Sequence, residues 1–355
     1  MFEACRRGET KIVQLLLKHC HSEESGLYTI DRFDSTTFMV ACGSGHKDIV
    51  QLLLEHSDPN IDLNARNFSE WTAFMLACYE GFTDIIKLLL DQSDSSIDIN
   101  TKDSVGWDGF MIACSKGRKD IVQLLLDHSD IDLDERDAKG ITAFMSACLS
   151  GRKKVVEILL NQTNRNLDLN ARTNNEDTAC MFACRNGHKE VVKLLLANTI
   201  ELNARNNRGL TELMSACRYG HKHVVQLLLE HSDGNIELNA RDNRGRTALM
   251  FACYKGHKEI VKLLLDFSNK IELNVQDDNG WTALILACNI GQKDVVQLLL
   301  NHSNNIYLNI IDIGRRTAID WALLRGHEDI VKLLYNWENG TSNPDHECKK
   351  PRLEV

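Results

Sequence analysis

The stretch TALMFACYKGHKEIVKLLL, residues 247 to 265, decides the fold. A threonine precedes a short apolar run, a glycine interrupts it, and an amphipathic segment follows. Thr247 suits an N-cap, because its hydroxyl accepts a hydrogen bond from a free N–H of the first helical turn. Gly256 suits the left-handed residue that closes a helix. Beyond it, KEIVKLLL places apolar side chains at i, i+1, i+3, i+4 and i+5, a stripe broad enough to pack on two neighbours. The spacing predicts a hairpin of two short helices.

Working outward, the pattern recurs. Aligned on the Ala-Cys pair, the chain gives ten units, nine with full-length starts near Asp31, Asn67, Asp103, Asp137, Thr173, Asn206, Asp242, Asp277 and Asp312, and a partial one before them. Full units open with polar turns such as DNRG (242–245) and DDNG (277–280), which suit a tight reversal with glycine at positive φ. A cap residue follows: Thr36, Thr72, Asp108, Thr142, Thr178, Thr211, Thr247, Thr282 or Thr317. A glycine ends the first helix in every unit, from Gly8 and Gly45 to Gly291 and Gly326. One helix pair cannot bury its own apolar faces, but stacked pairs can. The predicted fold class is therefore an all-α repeat solenoid of stacked helix-turn-helix units, whose stability sums over units and nearest-neighbour interfaces.

The 355 residues are 43% hydrophobic and 26% charged, which excludes a disordered or collagen-like chain. Apolar runs such as Leu52 to Leu54 fall far short of the ~20 residues that span a bilayer. The opening MFEACRRGET lacks the apolar core of a secretory signal, so an intracellular, cytoplasmic protein without membrane insertion is expected. Cysteines recur at 33 to 37 residues from Cys5 through Cys42 and Cys253 to Cys288, each inside the same apolar pattern. Zinc ligands come in close pairs, and stacked helices ~8–10 Å apart keep equivalent cysteines beyond disulfide reach. Each reads as a small buried hydrophobe. Cys180 and Cys184, four apart, form half a metal site with no second half in view.

The residues T-A-L-M-x-A-C, x-x-G-H, V-V-x-L-L-L and I-E-L-N-A-R together resemble the ankyrin repeat, with its T-P-L-H-x-A-A and L-L-L-x-x-G-A-D-V-N-A. The resemblance covers residues 1–337 and implies helix pairs joined by β-turn or hairpin-like loops. Two departures stand out. Alanine replaces the family's helix-opening proline at Ala73, Ala143, Ala179, Ala248, Ala283 and Ala318, and methionine replaces its histidine in most units, so the helix start is expected to rest on the cap alone. The inter-repeat glycine is also missing, and loops such as that in LLLEHSDGNIELNAR (227–241) are longer, which should shift the spacing of the turn tips slightly.

No GxxxxGK[ST], HExxH or GxSxG string occurs, and neither catalytic residues nor cofactors nor metals are expected. His46, His188, His221, His257 and His327 share the slot after the glycine, where they are expected to link the two helices of a unit. Acids such as Asp48, Glu190 and Asp294 begin the second helix and suit its dipole. The resemblance implies a non-enzymatic scaffold or adaptor that binds proteins in a concave groove lined by turn tips and exposed first-helix positions. The alternative is the regulatory or targeting portion of a larger enzyme, channel or ubiquitin-ligase assembly. Carried over position by position, the partner-binding residues are Trp71, Tyr79, Trp107, Arg208, Arg218, Tyr219, Arg244, Arg246, Tyr254, Lys255 and Trp281. These are types enriched at binding hot spots.

Net charge is −9, with acids gathered in the inter-repeat loops (SDPNIDL, SDSSIDI, SDGNIEL). The units from 206 to 276 instead put Arg208, Arg218, Arg244, Arg246 and Lys255 on the expected face, with no acid among its named positions. An acidic or phosphorylated peptide segment is the expected ligand, because arginine matches carboxylate and phosphate. Nucleic acid is not expected from an acidic chain without a recognition signature, and the protein is expected to be monomeric.

The first unit starts inside its first helix, which reads either as a polar capping unit bearing Glu3, Arg6 and Arg7 or as a fragment with sequence missing upstream. Residues 338–355, ENGTSNPDHECKKPRLEV, break the period and read as a disordered tail. Within it KKPR (349–352) resembles a nuclear-import signal, and Leu353 with Val355 a PDZ-type ligand. The family's loop asparagine, a target of asparaginyl hydroxylases, matches Asn64, Asn100, Asn170, Asn203, Asn239, Asn274 and Asn309, with Asp134 in one unit.

Overall fold

The computed structural model describes residues 1–19, 30–56, 62–91, 97–128, 131–162, 167–231, 235–267, 270–302 and 305–340. Two compact units form, Met1–Ala183 with Glu190–Ile200, and Cys184–Lys189 with the chain from Glu201 onward. The first holds α1 (Phe2–Arg7), α2 (Thr10–His19), α3 (Thr37–Ser44), α4 (Lys47–Glu55), α5 (Ala73–Glu80), α6 (Thr83–Leu90), α7 (Gly109–Lys116), α8 (Lys119–His128), α9 (Ala143–Leu149) and α10 (Lys153–Leu160). Helices α11 (Ala179–Arg185) and α12 (Lys189–Leu196) fall at the change from one unit to the other. The second holds α13 (Glu212–Tyr219), α14 (Lys222–His231), α15 (Ala248–Lys255), α16 (Lys258–Leu265), α17 (Ala283–Ile290), α18 (Lys293–His302), α19 (Ala318–Leu324) and α20 (Glu328–Gly340). Among the described residues there are helices, turns and a single isolated bridge, Ile30 to Thr36, and no named strand.

Within each unit the first helix of one pair packs on the first helix of the next, and second helices do likewise. First helices flanked on both sides are buried nearly all round, as in α15, where Ala248, Leu249, Met250, Phe251, Ala252 and Cys253 are all interior, whereas α1 buries only Ala4 and Cys5 and α19 only Ala318, Trp321 and Ala322. Second helices bury one stripe, in α16 Ile260, Val261, Leu264 and Leu265. Each such aliphatic side chain withdrawn from water contributes ~1.5–3 kcal/mol. The ten described cysteines are all buried, and burial pushes the Cys5 thiol up to about 11 and that of Cys288 to about 12.

Every expected cap forms. The side-chain oxygens of Thr36, Thr72, Asp108, Thr142, Thr178, Thr211, Thr247, Thr282 and Thr317 accept the N–H three residues on, at 2.7 to 3.4 Å. The expectation that the helix start rests on this bond alone needs correcting. Met39 Sδ and Met250 Sδ accept the N–H of Thr36 and Thr247 at 3.4 and 3.5 Å, and Asp320 Oδ2 does the same for Thr317 at 2.8 Å. The sulfur thus completes a reciprocal box that a carboxylate or amide usually supplies.

The ten helix-closing glycines all have positive φ, from 68° at Gly151 to 98° at Gly81. Most of them also make room for a side chain of the next repeat, although Gly326 has nothing within 4 Å of its Cβ position. A Cβ on Gly220 would lie 2.7 Å from His257 Cε1, and one on Gly117 would lie 2.8 Å from Arg152 Cδ. The slot after the glycine therefore rests on the preceding repeat, which corrects the expectation that its histidines link the two helices of their own unit. His46 Nε2 lies 3.1 Å from Arg6 O and His221 Nε2 2.8 Å from Arg185 O; Arg118 and Arg152 donate equivalently to Tyr79 O and Ser115 O.

On the loop side, an asparagine ladder joins successive repeats. Asn239 Nδ2 donates to Lys270 O at 2.7 Å while its Oδ1 accepts from Glu272 N–H at 2.9 Å, and Asn203 and Asn274 do the same one repeat before and after. Parts of these loops, including Asp94, lie outside the described residues. The last helix runs to Gly340, three residues past the boundary expected at 337. The KKPR and C-terminal peptide readings lie outside the described residues.

Candidate functional site: the turn tips and first helices

Each turn is organised by the residue that opens it. Asp242 Oδ1 accepts the N–H groups of Arg244 and Arg246 at 3.0 and 2.8 Å, and Gly245 closes the reversal at φ +73°. Asn206 and Asp277 repeat this, each accepting from residues two and four on. Four turns place a non-glycine residue at the positive φ instead: Asp34, Glu70, Glu176 and Arg315. In the last, Gly314 stands one position too early to take it.

Successive tips are bonded backbone to backbone. In the second unit Asn243 N–H donates to Arg208 O at 3.1 Å, Asp278 N–H to Arg244 O at 3.0 Å and Ile313 N–H to Asn279 O at 3.1 Å. The side chains of Arg208 and Arg244 stand exposed at equivalent positions of adjacent turns, and neither pairs with an acid among the described residues. Two solvent-facing guanidinium groups thus stand on a hydrogen-bonded backbone, and each can donate to a carboxylate or a phosphate.

Other expected contact residues are held differently. Arg246 sits on Asp242, with Nε and Nη2 donating to Oδ2 at 2.9 and 2.6 Å, and that carboxylate is buried. Its charge is thus compensated by an acid of its own turn, which corrects its place in the free basic set. Its guanidinium also lies 4.6 Å from the centre of the Phe251 ring, which Arg218 approaches at 5.5 Å. Arg218 is half-buried, 5.9 Å from the Tyr219 ring, while Tyr219, Tyr254 and Lys255 are exposed. Trp281 is half-buried against Trp321, with ring centres 5.0 Å apart, and both indoles hydrogen-bond the buried Asp312. Burial disfavours that carboxylate's charge, yet the bonds from Arg316 N–H and the two indoles outweigh it and hold Asp312 below the usual aspartate range.

In the first unit, Trp71 Nε1 donates to Asp103 Oδ2 at 3.1 Å and Trp107 Nε1 to Asp137 Oδ2 at 2.9 Å. Both tryptophans, half-buried, staple one turn to the next. Trp71 and Tyr79 approach at 5.2 Å, with Lys116 Nζ 4.0 Å over the tyrosine ring. These three residues are therefore part of the scaffold as well as of its face. The staples escape a reading by motif because donor and acceptor lie 30 to 32 residues apart; the signal is a tryptophan one repeat before an aspartate that opens a turn. The Asp242–Arg246 pair is legible as an i, i+4 pair within one turn.

Among the described residues no group of three or more His, Cys, Asp or Glu side chains is arranged to hold a metal ion, and no helix is long and apolar enough to cross a membrane. A family model described as ankyrin repeats (3 copies) matches residues 1–103, 95–172, 164–242, 181–277 and 267–346. Among curated proteins none matches.

Proposed function

The chain belongs to the ankyrin repeat family, whose repeats are protein–protein interaction modules, and on that premise we propose that it binds a carboxylate- or phosphate-rich segment of another protein across the turn tips and first helices of its second unit. The carrying observation is the bonded ladder of tips with Arg208 and Arg244 exposed on it. Arg218 and Lys255 extend the positive surface along α13 and α15, and the protein's overall charge of −9 makes this local excess selective. The reading is of a non-enzymatic, monomeric scaffold or adaptor.

The test is differential capture of partners by the wild-type chain, by Arg208→Glu/Arg244→Glu, and by Lys139→Glu, an exposed tip lysine of the first unit. Loss of the captured set with the double reversal and its retention with Lys139→Glu support the reading. Equal capture by all three refutes it, and salt-sensitive binding of random oligonucleotides at physiological ionic strength would point to nucleic acid instead.

A further inference from the structure

The repeat that starts at Asp103 departs from the common pattern at three positions. Its cap is Asp108, where the other full repeats have threonine; Gly109 follows, where alanine is usual; and Glu135 stands where other repeats have Ala65, Ala171, Ala204 and Ala240. Asp108 and Glu135 line one cavity of about 240 Å³ in the first compact unit, bounded by the loop stretches 99–102 and 131–135. The Phe74 ring, another of its walls, fills the space a methyl on Gly109 would need, 2.5 Å from that Cβ position. Three departures thus meet at one place.

The cavity has an apolar floor of Phe74, Phe110 and Leu125, all buried, and half-buried Ile99 and Ile131 at its rim. Lys102 and Glu135 form an ion pair there, and Asp132 stands exposed beside them. Asp108 is only 8% exposed. Its Oδ1 accepts the Met111 N–H at 2.7 Å, and among the described residues no side chain donates a hydrogen bond to it. Burial raises this carboxyl above the usual aspartate range, and neither the backbone N–H groups nor the nearby Lys102 cancels that effect. Three carboxylates therefore share one ammonium, which is already bonded to Glu135.

From this we infer that the cavity takes a second cation, the arginine or lysine side chain of a bound protein, whose apolar stem passes Ile99 and Ile131 and whose head group reaches Asp108. This goes beyond the anionic segment proposed for the second unit and gives the first unit a ligand of opposite charge. Sites for drug-sized molecules hold ~300–1,000 Å³, so the smaller cavity suits a single side chain. Long cationic side chains combine an apolar stem with a charged head, and the rim, the carboxylates and the phenylalanine rings offer partners to both parts. A buried carboxylate is stabilised by a paired cation, whereas an anion drawn to Lys102 would face three acids. Among the described residues no group of three acids is arranged to hold a metal ion, so the cation that fits is an organic one.

The experiment titrates the full chain, carrying NMR-labelled isoleucine methyl groups, with the Nα-acetyl amides of arginine, lysine and glutamate. The arginine or the lysine probe is expected to shift Ile99 and Ile131 saturably, with half-saturation at ~1–10 mM, while the buried Ile260 of the second unit stays still and the glutamate probe moves none of them. The two cationic arms tell guanidinium from ammonium by which saturates first. Glu135→Ala and Asp108→Thr restore residues that other repeats hold, so both should fold, as melting curves will check, and each should weaken the cationic probes about five- to tenfold. Lys102→Gln should bind them at least as tightly, because a competing ammonium is gone.

No saturable shift by ~50 mM of either cation, or an equal shift with the glutamate probe, overturns the inference. So does undiminished binding by Glu135→Ala or Asp108→Thr, and so does weakened binding by Lys102→Gln. Arg208→Glu/Arg244→Glu is expected to bind the cations as the wild type does, and a loss there would place them outside this cavity and overturn it too.

Discussion

Replacing Gly187 by alanine tests whether the helix-closing glycines serve backbone conformation alone or also the joint to the next repeat. Gly187 has φ +75°, where a Cβ costs ~1–2 kcal/mol. The new methyl would lie 2.7 Å from His221 Cε1, so the ring must move, and with it the 2.8 Å contact from His221 Nε2 to Arg185 O. Losing that bond adds ~0.5–1.5 kcal/mol, for a total of ~1.5–3.5 kcal/mol. Gly326 supplies the comparison, with φ +74° and nothing within 4 Å of its Cβ position, so Gly326→Ala carries only the conformational cost. The entropic gain of alanine in the unfolded chain is common to both and cancels. In a solenoid the loss is local, so the assay is native-state hydrogen exchange of the helix amides of each substituted repeat, supported by urea unfolding. In a His221→Ala background the alanine at 187 should cost no more than the one at 326. An equal cost for the two glycines in the wild-type background, or an undiminished one in the His221→Ala background, would refute the joint.

Arg246→Ala should lower stability by ~2 kcal/mol by leaving the buried Asp242 carboxylate without its guanidinium, while partner binding is little changed; Arg208→Glu/Arg244→Glu should do the opposite, as melting and binding curves will show. Asn239→Asp keeps the acceptor for Glu272 N–H but loses the donor to Lys270 O, at a cost of ~1–2 kcal/mol in urea unfolding. Asp312 is held below its ordinary value of 3.8, so its stabilising contribution is present above that pH and is lost as pH falls through the lower folded value; Asp312→Asn should be less stable at neutral pH yet lose less in acid, measured by thermal melts from pH 7 downward. With Cys20 and Cys348 changed to serine, the ten buried thiols should react with a thiol reagent at pH 8 only as fast as the chain opens, and rapid stoichiometric labelling of the folded protein would contradict their burial.

The period, the caps, the glycines and the turn-opening residues are all legible in the sequence, because each acts within about four residues and recurs. What resists such reading is the set of bonds between neighbouring repeats. The histidine slot looks like a link within its own unit, since Gly220 and His221 are adjacent, yet His221 reaches Arg185, 36 residues away. The tryptophans look like hot spots because their type and position fit, and only the structure shows their indoles committed to Asp103 and Asp137. Arg246 looks like free charge until Asp242 is seen to be buried beneath it. Methionine at the family's histidine position looks like a loss, whereas the Met250 sulfur takes the Thr247 N–H at 3.5 Å.

The joint between repeats has a genetic consequence. Among the described residues the glycine socket, the ring or guanidinium that fills it, and the asparagine that bonds the following loop each reach one repeat along the chain, at separations of 31 to 40 residues. A duplication or excision of one whole repeat in the coding sequence would present the same socket to the same plug and reclose. Recombination between repeats could therefore lengthen or shorten such a protein, and move Arg208 and Arg244 nearer to or farther from its ends, without new packing having to evolve.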